Sequence, residues 1–420
     1  MLLKGNCLEL LAEMPDNSVD SIVTDPPYEL GFMGKSWDNS GIAYSVKLWS
    51  QALRVLKPGG HLLAFGGSRT YHRLASAVED AGFEIRDQIM WLYGSGFPKS
   101  LDVSKAIDKA AGAERPDRIV ETHGKSGSHE NPTRHVTNAG TPSTHEAQQW
   151  QGWGTALKPA HEPIVVARKP LIGTVAANVL TYGTGALNID GSRVGTGTGE
   201  TKTVQYPNIR GNNYNNAEGT VEYIVTDQGR WPANVIHDGS EEVLEGFPIT
   251  GSARPARTGR AGGSNSERSL GMTADHIGTW PADTGGSAAR FFYCAKASKS
   301  ERNAGLEGLP EKPGGSNAKG YTQDVANGLD RNRPVANFHP TVKPIALMRY
   351  LVKLVTPPNG TVLDPFLGSG TTAVAAILEG FNWVGCEMTE ATGLSLRHEW
   401  RGLKLNLKHF CNHHYNLVIT

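Results

Sequence analysis

Asp25-Pro26-Pro27-Tyr28 stands at the end of an apolar run, Val19 to Val23. Two prolines fix the backbone and remove two N–H donors. The carbonyls of Asp25 and Pro26 and the Asp25 carboxylate remain, all of them acceptors. Together they suit an amino group with two hydrogens to give, and Tyr28 adds a flat face on which a heterocycle can stack. An exocyclic amine on a nucleobase has both properties. A second stretch, Asp364-Pro365-Phe366-Leu367-Gly368-Ser369-Gly370-Thr371, joins an apolar run to a helical pattern. Glycines let a ligand approach a backbone closely, and open α/β sheets bind ligands at the carboxyl ends of their strands. Glu387 follows about twenty residues on, where an acidic residue commonly holds ribose hydroxyls. The unit reads as a nucleoside site. It is neither a Walker loop nor GxGxxG.

These stretches need a scaffold, and the chain alternates strand and helix patterns around both. MLLKGN reads as a strand, CLELLAEMP as a helix, DSIVT as a buried strand and AYSVKLWSQALRVL as a helix stopped by Lys57-Pro58-Gly59-Gly60. HLLAF, YHRLASAVEDAG and FEIRDQIMWLY continue as strand, helix and strand. SLDVSKAIDKAAGAER is a further helix, with Ser100 or Asp102 as cap. Near the end, IALMRYLVKLV is an amphipathic helix, TVLDPF a strand, GSGTTAVAAILEG a helix and NWVGCEM a strand. Such alternation predicts a mostly parallel sheet covered on both faces. Residues 117 to 150 are rich in Gly, Ser, Thr, His and Asn, and HEPIVVARK, 161 to 169, restores a strand. Residues 171 to 335 hold only short apolar runs, and their tryptophans and FFYCA predict a separate small domain.

The chain has 420 residues, with 41 basic against 41 acidic ones and 50 glycines. A neutral balance excludes a globally basic nucleic-acid binder, so any such contact must be a local patch. Arg254, Arg257, Arg260 and Arg268, opposed only by Glu267, make one candidate; Asn208 to Asn216 make another. Cys7, Cys294, Cys386 and Cys411 contain no CxxC pair, which suits a reducing compartment and gives no zinc ribbon. His409, Cys411, His413 and His414 fit no standard zinc spacing, so no metal is expected. The N-terminus is too polar for a signal peptide, and no apolar run reaches the roughly 18 residues of a membrane span. A soluble protein of the cytoplasm, in a bacterium or a phage-infected host, is expected.

Asp25-Pro26-Pro27-Tyr28 followed much later by DPFLGSGT resembles the DNA amino methyltransferases that use S-adenosylmethionine. The order, with the tetrapeptide first and the glycine loop last, is similar to their circularly permuted β-class. HPTVKP, 339 to 344, resembles the cofactor-binding stretch of that class. KGNCLELL resembles its N-terminal strand, with Asn6 where the family often has Asp. GFMGKSWD, GSGFPKS and RFFYCAKASKSER resemble phage and prophage members.

The resemblance implies a Rossmann-like α/β methyltransferase fold. Its catalytic half would span 1–170, with a variable insertion near 112–150, and its cofactor-binding half 336–390. A target-recognition domain would span 171–335, and a divergent tail 391–420. Asp25, Pro26, Pro27 and Tyr28 would receive a base flipped from duplex DNA. Phe366, Gly368, Ser369, Gly370 and Thr371 would hold the cofactor, Glu387 its ribose, Asn6 its adenine, and Asp364, Thr341 and Lys343 its methionine end. Lys35 and Trp37 would close over the base, and Arg254, Arg257 and Arg260 would contact DNA. The implied target is the 6-amino group of adenine, with the cytosine 4-amino group as the alternative. A catalytically weak DNA-binding protein and an RNA or protein methyltransferase are rival readings. A restriction endonuclease partner and a homodimer stay open.

Overall fold

The computed structural model describes residues 1–30, 36–94, 96, 98, 100–116, 118–122, 133–137, 140–195, 201–207, 220–226, 229–250, 257–260, 277–280, 286–295 and 343–388. Among them, nine strands form one sheet: β1 (Leu2–Lys4), β2 (Val19–Thr24), β3 (Leu56–Phe65), β4 (Glu84–Leu92), β5 (His161–Arg168), β6 (Val235–His237), β7 (Tyr293–Cys294), β8 (Thr361–Asp364) and β9 (Asn382–Glu387). Their order in space is β1-β9-β8-β2-β3-β5-β4-β6-β7. Neighbours are parallel except at β5, which runs antiparallel to both β3 and β4. The expected mostly parallel sheet is present, with one reversed strand inside it.

The strands segregate their side chains with period two. Ile22, Leu62, Ala64 and Val165 pack on one face, with Leu11 of α1 (Cys7–Glu13), Leu48, Trp49 and Ala52 of α2 (Val46–Val55) and Leu74 and Val78 of α3 (Tyr71–Asp80). Val23, Leu63, Phe65, Ile164 and Val166 pack on the other, with Leu347, Leu351 and Val355 of the helix Ile345–Val355. Cover on both faces explains why β2 is buried at every position and β3 at nearly every one, rather than at alternate residues.

Two sequence expectations change. Lys57-Pro58-Gly59-Gly60 ends α2, but its residues belong to β3. Lys169 explains this, because Gly59 N–H donates to its carbonyl and its own N–H donates to Gly60. Buried Asn178 also donates to the Pro58 carbonyl at 2.8 Å. Gly59 has φ 77°, and a Cβ there would lie 2.4 Å from the Asn178 amide nitrogen, so this close approach requires glycine. Second, β6 and β7, both inside 171–335, join the central sheet. Local apolarity could not reveal this, because strands of three and two residues carry almost no periodicity.

The contact division does not fall at 171. One unit comprises Met1–Gly94, His161–Gly305 and Thr341–Thr420, and the other Ser95–Ala160 and Leu306–Pro340. In the second unit, Asp102 caps the helix Val103–Ala110 as the sequence suggests, accepting Lys105 N–H at 3.0 Å. Buried Asp108 gathers Arg115, Ser143 and Thr144 around its carboxylate. No described helix is long and apolar enough to cross a membrane.

Candidate active site

β2 lies beside β8, with Ser21 opposite Val362 and Ile22 opposite Leu363. Two parallel neighbours end at the same edge, so the loops that follow them meet there. The first loop carries Asp25-Pro26-Pro27-Tyr28. Its path is pinned from outside. The Tyr28 carbonyl accepts from the Thr70 hydroxyl at 2.9 Å and the Tyr44 hydroxyl at 3.4 Å. Glu29 then turns the chain at φ 54°, its N–H donating to buried Asp38 at 2.9 Å and its carboxylate accepting Gly41 N–H at 2.8 Å.

A charged cluster lies beside this loop. Lys343, whose side chain is 8% exposed, donates to Asp25 Oδ2 at 2.8 Å and to the Tyr28 hydroxyl at 3.1 Å. Its ammonium lies 3.3 Å from Glu162 Oε2, to which the Tyr28 hydroxyl also donates, at 2.7 Å. The ammonium faces the Phe65 and Tyr28 rings at 4.9 and 5.3 Å. The other Asp25 oxygen, Oδ1, is buried and has no hydrogen-bond partner among the described residues. A buried carboxylate oxygen without a partner is costly.

Burial pushes the Asp25 carboxyl above its ordinary value; Lys343 opposes that push and the Glu162 charge reinforces it. Burial alone would lower the Lys343 ammonium, but the two carboxylates outweigh it and raise the group. The Tyr28 phenol is raised by burial and by the same carboxylates. One ammonium thus serves two carboxylates, and Lys343 stays charged between them.

The second loop is tied to the first. Asp364 accepts from the Thr24 hydroxyl and the Thr372 hydroxyl, both at 2.6 Å, and from Phe366 N–H at 3.0 Å. Its carboxyl is raised to about 6 by burial, against the pull of those three donors. Gly368 and Gly370 adopt φ 53° and 88°, which bend the loop into the helix Thr371–Leu378. Ser369 and Thr371 are buried, with their hydroxyls 3.1 Å apart. Glu387, at the end of β9, accepts Gly368 N–H at 3.0 Å. Lys4 pairs with Glu387, which brings Asn6 to the same edge, where its side chain caps α1 by accepting Leu8 N–H.

The sequence-derived residues therefore form two groups at one sheet edge. Phe366, Gly368, Ser369, Gly370, Thr371, Glu387 and Asn6 surround the glycine turn. Lys343, expected beside a cofactor's methionine end, is bonded to Asp25 and Tyr28. Asp364 has both oxygens engaged in holding the loops together. Thr341, Lys35 and Arg254 lie outside the described residues, as do Arg268, Asn208 to Asn216 and the histidines of the tail. Trp37 belongs to a short turn, Ser36–Asn39, and Arg257 and Arg260 to a strand paired with Ile277–Trp280. Glu162, Phe65, Thr24 and Thr372 were missed. A carboxylate before Pro163 at the start of an apolar strand was a signal for Glu162; nothing local marked the other three.

A sequence profile described as DNA methylase, of the N6/N4 methyltransferases, matches residues 19–392. The chain is 48% identical over 87 residues to the putative methylase YubD of Escherichia coli (strain K12), covering 17% of this chain and 38% of that protein. It is 32% identical over 113 residues to the type II methyltransferase M.HpaI of Haemophilus parainfluenzae, covering 26% of this chain and 36% of that one. It thus spans under two-fifths of the length of these curated relatives. TTHA0409 of Thermus thermophilus, solved with S-adenosyl-L-methionine, overlaps 96% of this chain and 93% of its own at 14% identity and a TM-score of 0.38. The PvuII cytosine-N4-specific DNA methyltransferase overlaps 95% and 85% at 13% identity and a TM-score of 0.40. Likeness at that level adds nothing to the architecture, which stands on the sheet described above. With its profile match running through both loops and most of the chain, the protein belongs to the N6/N4 DNA methylase family.

Proposed function

We propose that the protein methylates an exocyclic amino group of duplex DNA, the 6-amino group of adenine, with S-adenosylmethionine as donor. The observation that carries this reading is Asp25. One carboxylate oxygen is fixed by Lys343, while the other is buried and without a partner among the described residues. An incoming amine would donate one hydrogen to Asp25 Oδ1 and the other to the Pro26 carbonyl, and its lone pair would then point away from both. Tyr28 would stack on the base, extruded from the duplex because its amine is otherwise out of reach. Positioning and electrostatics would carry the rate.

The glycine turn fits the cofactor. Gly368 and Gly370 present backbone without side chains in left-handed conformation, and Glu387 stands at the strand end beside them. Phe366, Gly368, Ser369, Gly370, Thr371, Glu387 and Asn6 would hold it. When bound, it supplies an electrophilic methyl group on a sulfonium. Asp364 would keep this turn in register with Asp25 through Thr24.

Residues 171–335 would read the target sequence, although β6 and β7 within them also serve the central sheet. Arg254, Arg257 and Arg260 would meet the phosphate backbone, and Lys35 and Trp37 would cover the flipped base. Asp at position 25 favours adenine, by the resemblance to adenine-specific members.

Nucleoside mass spectrometry tests this. Unmethylated plasmid is incubated with protein and S-adenosylmethionine, then digested. The expected product is methylated adenine, absent with Asp25→Ala. Methylated cytosine would move the target and keep the mechanism. DNA and cofactor binding with no methylated base would favour a binding protein.

A further inference from the structure

We propose that Glu162 is a positioning residue for the methyl acceptor: by holding the Tyr28 hydroxyl and sharing Lys343, it keeps both donors off Asp25 Oδ1. The proposal rests on the reading of Asp25 as the amine-binding group.

The topology explains how a residue so remote in sequence reaches the tetrapeptide. β5 is the strand that runs against its neighbours, so its first residues lie at the edge where the parallel strands end. Phe65, the last residue of β3, pairs with Ile164, and Glu162 pairs with Trp91 near the end of β4. Position 162 therefore sits at the mouth of the sheet, beside the loop that leaves β2.

Donors and acceptors in the cluster then decide the outcome. Lys343 and the Tyr28 hydroxyl are donors; Asp25 and Glu162 are carboxylates. As the cluster stands, Tyr28 donates to Glu162 at 2.7 Å, and Lys343 spans Asp25 Oδ2 at 2.8 Å and Glu162 at 3.3 Å. A buried phenol needs an acceptor. Without Glu162, the carboxylate that interacts with both Tyr28 and Lys343 among the described residues is Asp25. Both donors would converge there and occupy the oxygen reserved for the amine. Glu162 would touch neither base nor cofactor; it would act through Tyr28 and Lys343.

Charge gives an independent readout. The charged and titratable groups around Asp25 are Lys343, Glu162, Tyr28 and, across the Thr24 bridge, Asp364. Glu162 is the negative neighbour that raises the Asp25 carboxyl. Neutralising it lets Asp25 keep its charge to lower pH.

The experiment compares wild type, Glu162→Ala and Glu162→Gln in single-turnover methyl transfer across pH, together with 13C NMR titration of aspartate carboxyls assigned through Asp25→Asn. Glu162→Ala is expected to lower the transfer rate on the order of 100-fold, as for a misplacement of about 1 Å. Cofactor and DNA dissociation constants should stay within about threefold, since neither ligand loses a contact. Glu162→Gln keeps an acceptor for Tyr28 and should recover part of the rate. In both variants the acid limb and the Asp25 titration should move to lower pH. Unchanged rate and acid limb in an active background would overturn the proposal alone. So would equal losses in Gln and Ala with an unmoved Asp25 titration, which is what a merely structural role predicts. If wild type transfers no methyl group, the proposed function fails. The titration then judges the Glu162–Asp25 coupling by itself: a downward shift in Glu162→Gln supports it, and no shift overturns it.

Discussion

Thr24 and Asp364 are 340 positions apart in the chain and share a 2.6 Å hydrogen bond. Thr24 is the last residue of β2 and Asp364 the last of β8. The bond therefore ties the loop holding Asp25 to the glycine turn. Thr24→Val keeps the β-branched shape and removes the donor. Asp364 retains Phe366 and Thr372, so a loss of about 1–3 kcal/mol is expected, read as a lower urea midpoint at unchanged slope. Thr24→Ser should recover most of it. A Thr24→Val midpoint equal to wild type would show that the bond contributes nothing.

Acid should switch off methyl transfer earlier than an ordinary aspartate would. Burial and Glu162 raise the Asp25 carboxyl above 3.8. The carboxylate is the form that accepts Lys343 and, in the proposed function, would accept the amine, so the rate should fall as pH drops through a midpoint above 3.8. Asp25→Asn should lose on the order of 100-fold or more, while cofactor binding persists. A pH–rate profile flat down to about pH 4, near the ordinary aspartate value, would rule out Asp25 as the titrating group.

Asp364 should make the protein lose stability as pH rises. Its folded carboxyl titrates at about 6 against an ordinary 3.8, so between those values the folded state holds more protons. The stabilising contribution is complete below 3.8 and is lost as pH climbs to about 6. A displacement of that size corresponds to on the order of 3 kcal/mol, with Asp25 adding in the same direction. Asp364→Asn keeps a comparable shape and does not titrate. Urea midpoints between about pH 4 and 6.5 should fall less steeply for the variant; equal slopes would exclude Asp364 as the source.

Glu387 should matter more for cofactor than for folding. It accepts one N–H from the turn, at Gly368, and stands at the strand end where a ribose would be held. Glu387→Ala should weaken S-adenosylmethionine binding on the order of tenfold or more, as expected for a lost hydrogen bond to a charged group. Glu387→Gln should lose less, because it still accepts from Gly368. Calorimetric titration of the cofactor distinguishes them, and unchanged affinity in Glu387→Ala would remove it from the site.

Much of this site was legible before any fold. Asp25-Pro26-Pro27-Tyr28 shows its group of acceptors locally, because prolines fix the carbonyls beside them whatever surrounds them. Phe366 to Thr371 do the same, since the glycines permit the turn by themselves. The apolar stretches within β2, β3 and β8, and the amphipathic helix Ile345–Val355, follow from residue type and period, properties each segment carries alone. What the tertiary structure decided is how distant segments share one edge. Glu162 acquires its place because β5 runs backward between β3 and β4, and Lys343 because the segment entering the helix Ile345–Val355 passes Asp25. Asp364, expected from the sequence near the cofactor's methionine end, is also a bridge between loops, because three donors, Thr24 among them, converge on it. The strands β6 and β7 belong to the sheet although their residues look irregular. In each case the deciding quantity is a pairing between residues far apart in the chain, and a pairing energy has no signature in either segment read by itself.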